Sequence, residues 1–421
     1  MCFSSSEKSV FKIISCKEIT NQSQYTSISQ TMHKVSRVFH PVGQGAFYSE
    51  SHILDDGNTF DVVYDCGTKN KLEWLHSRIS NAGFNKKTVD LLFLSHFHED
   101  HYKGIKLLTP KVIILPFLKE WDKVIFWIGR ELKQSSFNPY LEEELRQRFP
   151  DAKIIQIEAV NEESDDRIPS DPLNVNNLIN SAGNVILPSG IHLTLDVCDW
   201  IYVPINPCLD THTIQEFKNL VNDPKYNLDI NKLKSLDVNY YILKKKEIKE
   251  IYTKIGSPNE YSMAVYSGPL NNQHRLRDIS FNRISNNICP RCNYDCPYES
   301  HFGRRRFRAG CLYLGDMNLN SSVEPLKIIY RFIGEELQKS IGTIQVPHHG
   351  SLLNFNMCIL SLYISNSWEP IHWPINYVIS VGESNTYGHP SWLVLNELMD
   401  SNNIILVTEK TTSAFIEKIR I

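Results

Sequence analysis

The sequence predicts a layered α/β fold, on three observations. Short apolar, β-branched runs recur along the chain, each ending in a loop of glycine or polar residues. Amphipathic stretches at helical spacing lie between them. Histidines and aspartates gather just past the run ends, where α/β sheets build their sites. A length of 421 residues allows a sizeable core, and 42% hydrophobic with 22% charged residues excludes a disordered or fibrous chain.

Taken in order, residues 1–34 are polar and Ser/Thr/Gln-rich and read as an extension, with 10–14 able to add an edge strand. The strand runs are 60–64 before Asp65-Cys66-Gly67, 89–94 before Ser95-His96-Phe97-His98, and 111–118. Later ones are 311–314 before Gly315-Asp316, 343–346 before Pro347-His348-His349-Gly350, and 377–381 before Gly382-Glu383-Ser384-Asn385. Four to six apolar residues bounded by turn signals suit buried strands. Helices are expected over 71–82, 325–337 and 392–399, and the mixed stretch 121–190 is expected to be helical, with Ile125, Ile128 and Leu132 as its buried face. Segments 207–256 and 271–310 break the rhythm and read as insertions.

The net charge of −3 gives no global attraction to nucleic acid or anionic membranes, so such binding needs a local patch. No apolar run reaches the roughly 18 residues of a membrane span, and the N-terminus lacks a secretory pattern. Ten cysteines are too sparse for a disulfide scaffold. A soluble cytoplasmic protein without membrane contact is the expectation.

The decisive segment is His96-Phe97-His98-Glu99-Asp100-His101. Imidazoles and a carboxylate suit Zn²⁺, Mn²⁺ or Fe. His-x-His on an extended segment puts both imidazoles on one side, and a turn at Asp100 and His101 presents a second pair to a neighbouring ion. Asp316 can bridge two ions, and His348 and His349 add imidazoles, each from a strand end.

These motifs resemble the metallo-β-lactamase-fold hydrolases, with Asp65 matching their first motif aspartate. Val42-Gly43-Gln44-Gly45, segment 259–265, segment 312–316, Val346-Pro347-His348-His349-Gly350-Ser351 and segment 380–390 are similar to the ComEC-like branch. The resemblance implies a four-layer αββα sandwich over 35–421 with a dinuclear site. It implies His96 and His98 on the first metal, Asp100 and His101 on the second, and Asp316 bridging. The Pro-x-His context selects His349 as the last ligand, leaving His348 to face the substrate or complete the first metal's shell. Asp65 would orient a ligand imidazole. The superfamily's usual intervening histidine has no counterpart among His192, His212, His274 and His301, so the first metal's third protein ligand is unassigned.

Two divalent metals sharing a bridging hydroxide would attack an ester. Asp100 is central to that chemistry, His348 and His389 are candidate acids for the leaving group, and Ser351, Asn385 and Tyr387 can donate hydrogen bonds to a phosphate, although Asn385 and Gly388 can equally just shape a turn. The resemblance favours a phosphodiesterase or nuclease. Arg304–Arg308 with Phe302 and Phe307 interleaved can contact a phosphate backbone, which favours single strands or nucleotides. The alternatives are a carboxylic ester, lactone or amide hydrolase with the same site, or a non-catalytic scaffold recruiting a protein through its insertions. Cys289, Cys292 and Cys296 have thiolate spacing for a structural Zn²⁺, with His301 closing the set more readily than Cys311.

Overall fold

The computed structural model describes residues 33–54, 56–84, 87–133, 137–160, 171–180, 185–195, 198–207, 211–255, 262–270, 278–282, 308–359, 375–399 and 403–420. Its first strands are β1 (Lys34–Phe39), β2 (Phe47–Ile53), β3 (Thr59–Cys66), β4 (Thr88–Phe93), β5 (Thr109–Pro116) and β6 (Lys153–Ile157). Then come β7 (Ala159–Val160), β8 (Leu173–Asn174), β9 (Val185–Leu187), β10 (Leu193–Leu195), β11 (Cys198–Pro207) and β12 (Ala264–Pro269). The last are β13 (Asp278–Asn282), β14 (Gly310–Tyr313), β15 (Ile341–Gln345), β16 (Asn376–Ser380), β17 (Asn403–Val407) and β18 (Phe415–Arg420). Two sheets result, ordered β13-β18-β1-β2-β3-β4-β5-β6-β9 and β17-β16-β15-β14-β12-β11-β10-β8, with β7 beside β11.

Both sheets change character midway. Strands β1 to β3 are antiparallel, whereas β3 to β6 and β9 run parallel. Strands β11, β12 and β14 are antiparallel, and β14 to β17 run parallel. Parallel strands must be covered on both faces. That is why 91–94 and 377–379 are unbroken apolar runs, with β4 buried from Val89 onward and β16 throughout.

The helices are α1 (Leu72–Asn81), α2 (Glu99–Tyr102), α3 (Glu120–Lys133), α4 (Leu141–Arg148), α5 (Val175–Ile179) and α6 (Thr211–Asn222), then α7 (Ile230–Lys234), α8 (Val238–Leu243), α9 (Lys245–Lys254), α10 (Pro325–Ser340) and α11 (Trp392–Met399). Alternation along the strands sorts their side chains into separate cores. Val63, Leu92 and Ile113 pack outward with Leu75, Ile125 and Ile251 of α1, α3 and α9. Val62, Leu91 and Ile114 point inward, against Trp200, Tyr313 and Val378 of the second sheet. On the far side, Val203, Leu312 and Ile344 meet Ile329, Ile333 and Val394 of α10 and α11. Helices, sheet, sheet and helices make four layers.

Stretch 121–190 departs from the helical expectation. It forms α3 and α4, but it also supplies β6 and β9 at the edge of the first sheet. Ile154, Ile155 and Ile157 are a short β-branched run that charged neighbours obscure. Segment 211–254 forms α6 to α9, of which α7 and α9 pack on α3. Residues Cys289, Cys292, Cys296 and His301 lie outside the described residues.

A buried polar network joins the sheets. Arg37 on β1 pairs with Glu50 on β2 and with Glu417 on β18, each at 2.7 Å. Glu50 also accepts hydrogen bonds from Tyr202 and Ser267 at 2.7 Å and Tyr313 at 2.9 Å, all from the opposite sheet. Removing one partner of such a pair strands a buried charge and costs about 3–5 kcal/mol. Burial raises the pKa of Glu50, but Arg37 and then His52 outweigh it and hold the carboxyl down at about 2. Burial pushes the neighbouring His52 imidazole down to about 3.

Both shifts act in the same direction on stability. Glu50 contributes stability that is present above the ordinary glutamate pKa and is lost as pH falls towards 2. Neutral His52 adds a penalty once pH falls below the ordinary histidine value. The urea midpoint should therefore fall steadily from about pH 6 to 4; a flat profile over that range would contradict this account.

Candidate metal centre

The parallel strands deliver their C-terminal ends to one edge, and the sequence places its reactive residues there. Ser95 to His98 follow β4, and α2 opens at Glu99, so Asp100 and His101 lie in the first turn of a helix. His98 is held extended by a bridge to Phe137, and the Asn138 N–H donates to the Phe97 carbonyl at 2.8 Å. Asp316 follows β14 and Gly315; His348 and His349 follow β15.

Asp100, His101, Asp316 and His349 are all buried, and each offers a ligand atom within 4.8 Å of the others. Asp316 faces two ways. Its Oδ1 lies 3.2 Å from His101 Nε2 and 3.9 Å from His349 Nε2, whereas its Oδ2 lies 3.9 Å from both His96 Nε2 and His348 Nε2. His96 stands beside His98, with ring centroids 4.8 Å apart. The structure thus brings together Asp100, His101, Asp316 and His349, and sets His96 and His348 beside the other oxygen of Asp316, with His98 next to His96.

Three of the imidazoles are oriented from behind. Asp65 is fully buried in left-handed backbone (φ 55°) and lies 2.7 Å from His101 Nδ1. It also accepts hydrogen bonds from the Ser95 N–H and hydroxyl, both at 2.7 Å. His96 Nδ1 lies 2.9 Å from Ser95 Oγ and 3.2 Å from Ser262 Oγ, and that same Ser262 oxygen accepts from the Asp316 N–H at 2.8 Å. His349 Nδ1 donates to the Ser380 carbonyl at 2.8 Å. The Nε2 atoms of His96, His101 and His349 are then buried without a hydrogen-bond partner among the described residues. Buried orphan nitrogens of this kind demand an explanation. Nδ1 engaged and Nε2 free is the arrangement of a metal-ligating histidine, so the donor set fits divalent cations.

The backbone is shaped for this convergence. His348 and His349 are consecutive left-handed residues (φ 47° and 57°), a strained arrangement of the kind that collects at functional sites. Gly67 packs so closely on the backbone of Asp100 and His101 that a Cβ could not be accommodated, and Gly45 (φ 149°) lies equally close to Gly67 and Asp100. This accounts for Val42-Gly43-Gln44-Gly45, since the Ala46 N–H donates to the Asp100 carbonyl at 3.1 Å.

The electrostatics ask for positive charge. Burial would lower the pKa of His101, but Asp316 and Asp65 overcome it and hold the imidazole well above the ordinary value. Burial would raise Asp100 and Asp316, yet both are held well below the ordinary carboxylate range, Asp100 by His349 and His101 and Asp316 by His101 and His348. Lys69 sits 3.2 Å from Asp100 Oδ2. Burial lowers its pKa, but Asp100 and then Asp316 more than compensate, so the ammonium stays charged.

At the rim, Tyr387 is exposed, its ring 4.9 Å from Lys69 Nζ and roughly parallel to that of His389. His389 lies 5.7 Å from His348, ring to ring. One substrate-binding expectation needs correction. Asn385 donates to the Gly382 and His389 carbonyls and accepts from the Tyr387 and His389 N–H groups, so its side chain is committed to shaping its own loop. Ser351 is only 3% exposed, at the start of a turn that its carbonyl closes with Asn354 and Phe355. Sequence reasoning missed Lys69, whose only signal is its place two residues beyond Gly67.

Asp65→Ala should weaken binding of Zn²⁺ or Mn²⁺ about 10–100-fold, measured by chelator competition on the folded protein. Unchanged affinity would contradict the orienting role of Asp65.

Residues 45–175 match the family model described as the Metallo-beta-lactamase superfamily. No curated protein sequence matches the chain. Among solved structures, unliganded yeast PDE1 is similar over 93% of this chain and 99% of its own, at 8% identity and a TM-score of 0.38. A long form of RNase Z from yeast is similar over 83% of this chain and 36% of its own, at 10% identity and a TM-score of 0.30. The metallo-β-lactamase MIM-1 from Novosphingobium pentaromativorans is similar over 53% and 92%, at 13% identity and a TM-score of 0.19. No helix among the described residues is long and apolar enough to cross a membrane. Two stacked sheets flanked by helices, with a His/Asp cluster at their strand ends, thus surround a segment, 45–175, that is similar to the metallo-beta-lactamase superfamily.

Proposed function

We propose that this chain is a divalent-metal-dependent phosphodiesterase or nuclease acting on single-stranded nucleic acid or nucleotides. The observation that carries the proposal is Asp316, whose two carboxylate oxygens face different imidazoles, His101 and His349 on one side and His96 and His348 on the other. His96 and His98 would hold one cation, Asp100, His101 and His349 the other, and Asp316 both. When bound, such a pair activates a water at neutral pH and polarises the ester under attack.

The chain's own residues do the remaining work. Asp65, Ser95, Ser262 and the Ser380 carbonyl fix imidazole orientation before substrate arrives, so little reorganisation accompanies the reaction. His348 is partly exposed and faces both Asp316 and His389. Burial, then His348 and His349, push His389 down to about 4, so it is neutral at pH 7. In this reading His348 donates the leaving-group proton and His389 keeps its ring in place.

Further features belong to the same proposal. They are the ComEC-like affiliation, a cytoplasmic location, and Zn²⁺ or Mn²⁺ as the native ion. To these we add a structural Zn²⁺ on Cys289, Cys292, Cys296 and His301, and partner contacts through 207–256 and 271–310.

The test is hydrolysis of single-stranded DNA, RNA, cyclic nucleotides, bis-(p-nitrophenyl) phosphate and a lactone by the protein with Mn²⁺ or Zn²⁺. Diester cleavage that needs metal and falls at least about 10³-fold in Asp316→Ala is expected. Lactone cleavage alone would move the reading to carboxylic esters. Silence with metal measured in place would favour a scaffold.

A further inference from the structure

Lys69 is unexplained by the metal-holding scheme. A cation beside a centre built to hold cations is repelled by them, and an ion pair with Asp100 alone would cost side-chain freedom for little gain at its partly exposed position. Its backbone is nevertheless held firmly. The Lys69 N–H donates to the Gln44 carbonyl at 2.7 Å, the Thr68 hydroxyl donates to the Val42 carbonyl at 2.7 Å, and the Asn70 N–H donates to the Thr68 hydroxyl at 3.0 Å. The 42–46 loop that grips Lys69 also grips the Asp100 carbonyl through Ala46. The base of the side chain is therefore fixed relative to the metal-holding residues.

The ammonium itself is not enclosed. The Lys69 side chain is 41% exposed while that of Asp100 is 2% exposed, so Lys69 reaches the cluster from the solvent side. The exposed ring of Tyr387 lies 4.9 Å from its ammonium. Among the described residues it is the one lysine or arginine within 4.0 Å of the Asp100 or Asp316 carboxylate. A charged, half-exposed donor on a rigid loop at the mouth of a charged site is the arrangement that receives an anion.

We propose that Lys69 is the anion-binding residue of this site, contacting a non-bridging oxygen of the substrate's phosphodiester, with Tyr387 holding the ammonium at the mouth. The proposal rests on the phosphodiesterase reading and gives it a specificity determinant. Substrate phosphate takes over the contact that Asp100 makes with Lys69, leaving the Asp100 oxygen to the cation. A neutral carboxylic ester offers Lys69 no such charge, so the residue selects for anionic substrates.

The experiment uses the full chain loaded with Mn²⁺, comparing wild type with Lys69→Met and Lys69→Arg. Three quantities are read: bound metal per chain, the inhibition or dissociation constant for inorganic phosphate, and kcat/KM for bis-(p-nitrophenyl) phosphate. Lys69→Met should keep its metal, bind phosphate at least about tenfold more weakly, and lose about 10²-fold in kcat/KM. Lys69→Arg should recover most of both. Phosphate affinity that is absent in wild type or equal in Lys69→Met overturns the proposal, and so does loss of metal from Lys69→Met, which would make Lys69 a support for Asp100. If phosphate binding depends on Lys69 but no diester is cleaved, Lys69 stands and the phosphodiesterase reading fails.

Discussion

Two carboxylates, Asp100 and Asp316, lie buried within a few ångströms of each other, and the rest of the site answers to that constraint. Like charges removed from water repel strongly and lose their hydration. They can share a site only if positive charge is held between them. Lys69 supplies part of it, and the free Nε2 atoms of His96, His101 and His349 mark where divalent cations would supply the rest. Three of the imidazoles, His96, His101 and His349, are fastened from behind through Nδ1.

The fold meets the demand by geometry. Parallel strands in two facing sheets end at one edge, so loops distant in sequence reach a common point. Ser262, on the segment leading into β12, touches both His96 of the first sheet and Asp316 of the second, and so sets the distance between the halves. On the far side of the sandwich interior, Arg37, Glu50 and Glu417 tie together the antiparallel strands of the first sheet, while Tyr202, Ser267 and Tyr313 reach Glu50 from the second. One polar network holds the ligands and another holds the sheets on which they stand.

Legibility in the sequence followed distance along the chain. His96 to His101 could be read because the residues are contiguous and follow an apolar run; Asp316 and His349 because each follows another such run. A layered α/β fold was legible from the alternation of runs and amphipathic stretches, and the four layers were implied by the family resemblance alone. What was not legible depends on contacts between remote residues. Arg37 and Glu417 are 380 positions apart, and nothing local marks either as a partner. Lys69 is a single lysine in a turn, with no periodicity to announce it. Asn385 was read as a donor to substrate because its type allows it, and only the fold reveals that its own loop has taken all of its hydrogen bonds. β6 was hidden because a five-residue strand among charged residues carries too little apolar pattern to be distinguished from a helix.

The most direct test of the central claim is anomalous diffraction at the Zn or Mn edge from crystals of the metal-loaded protein. Two peaks roughly 4 Å apart, flanking the Asp316 carboxylate with His96 and His98 on one and Asp100, His101 and His349 on the other, are the predicted result. A single peak, or none between Asp316 and His96, would contradict a site organised around a shared carboxylate.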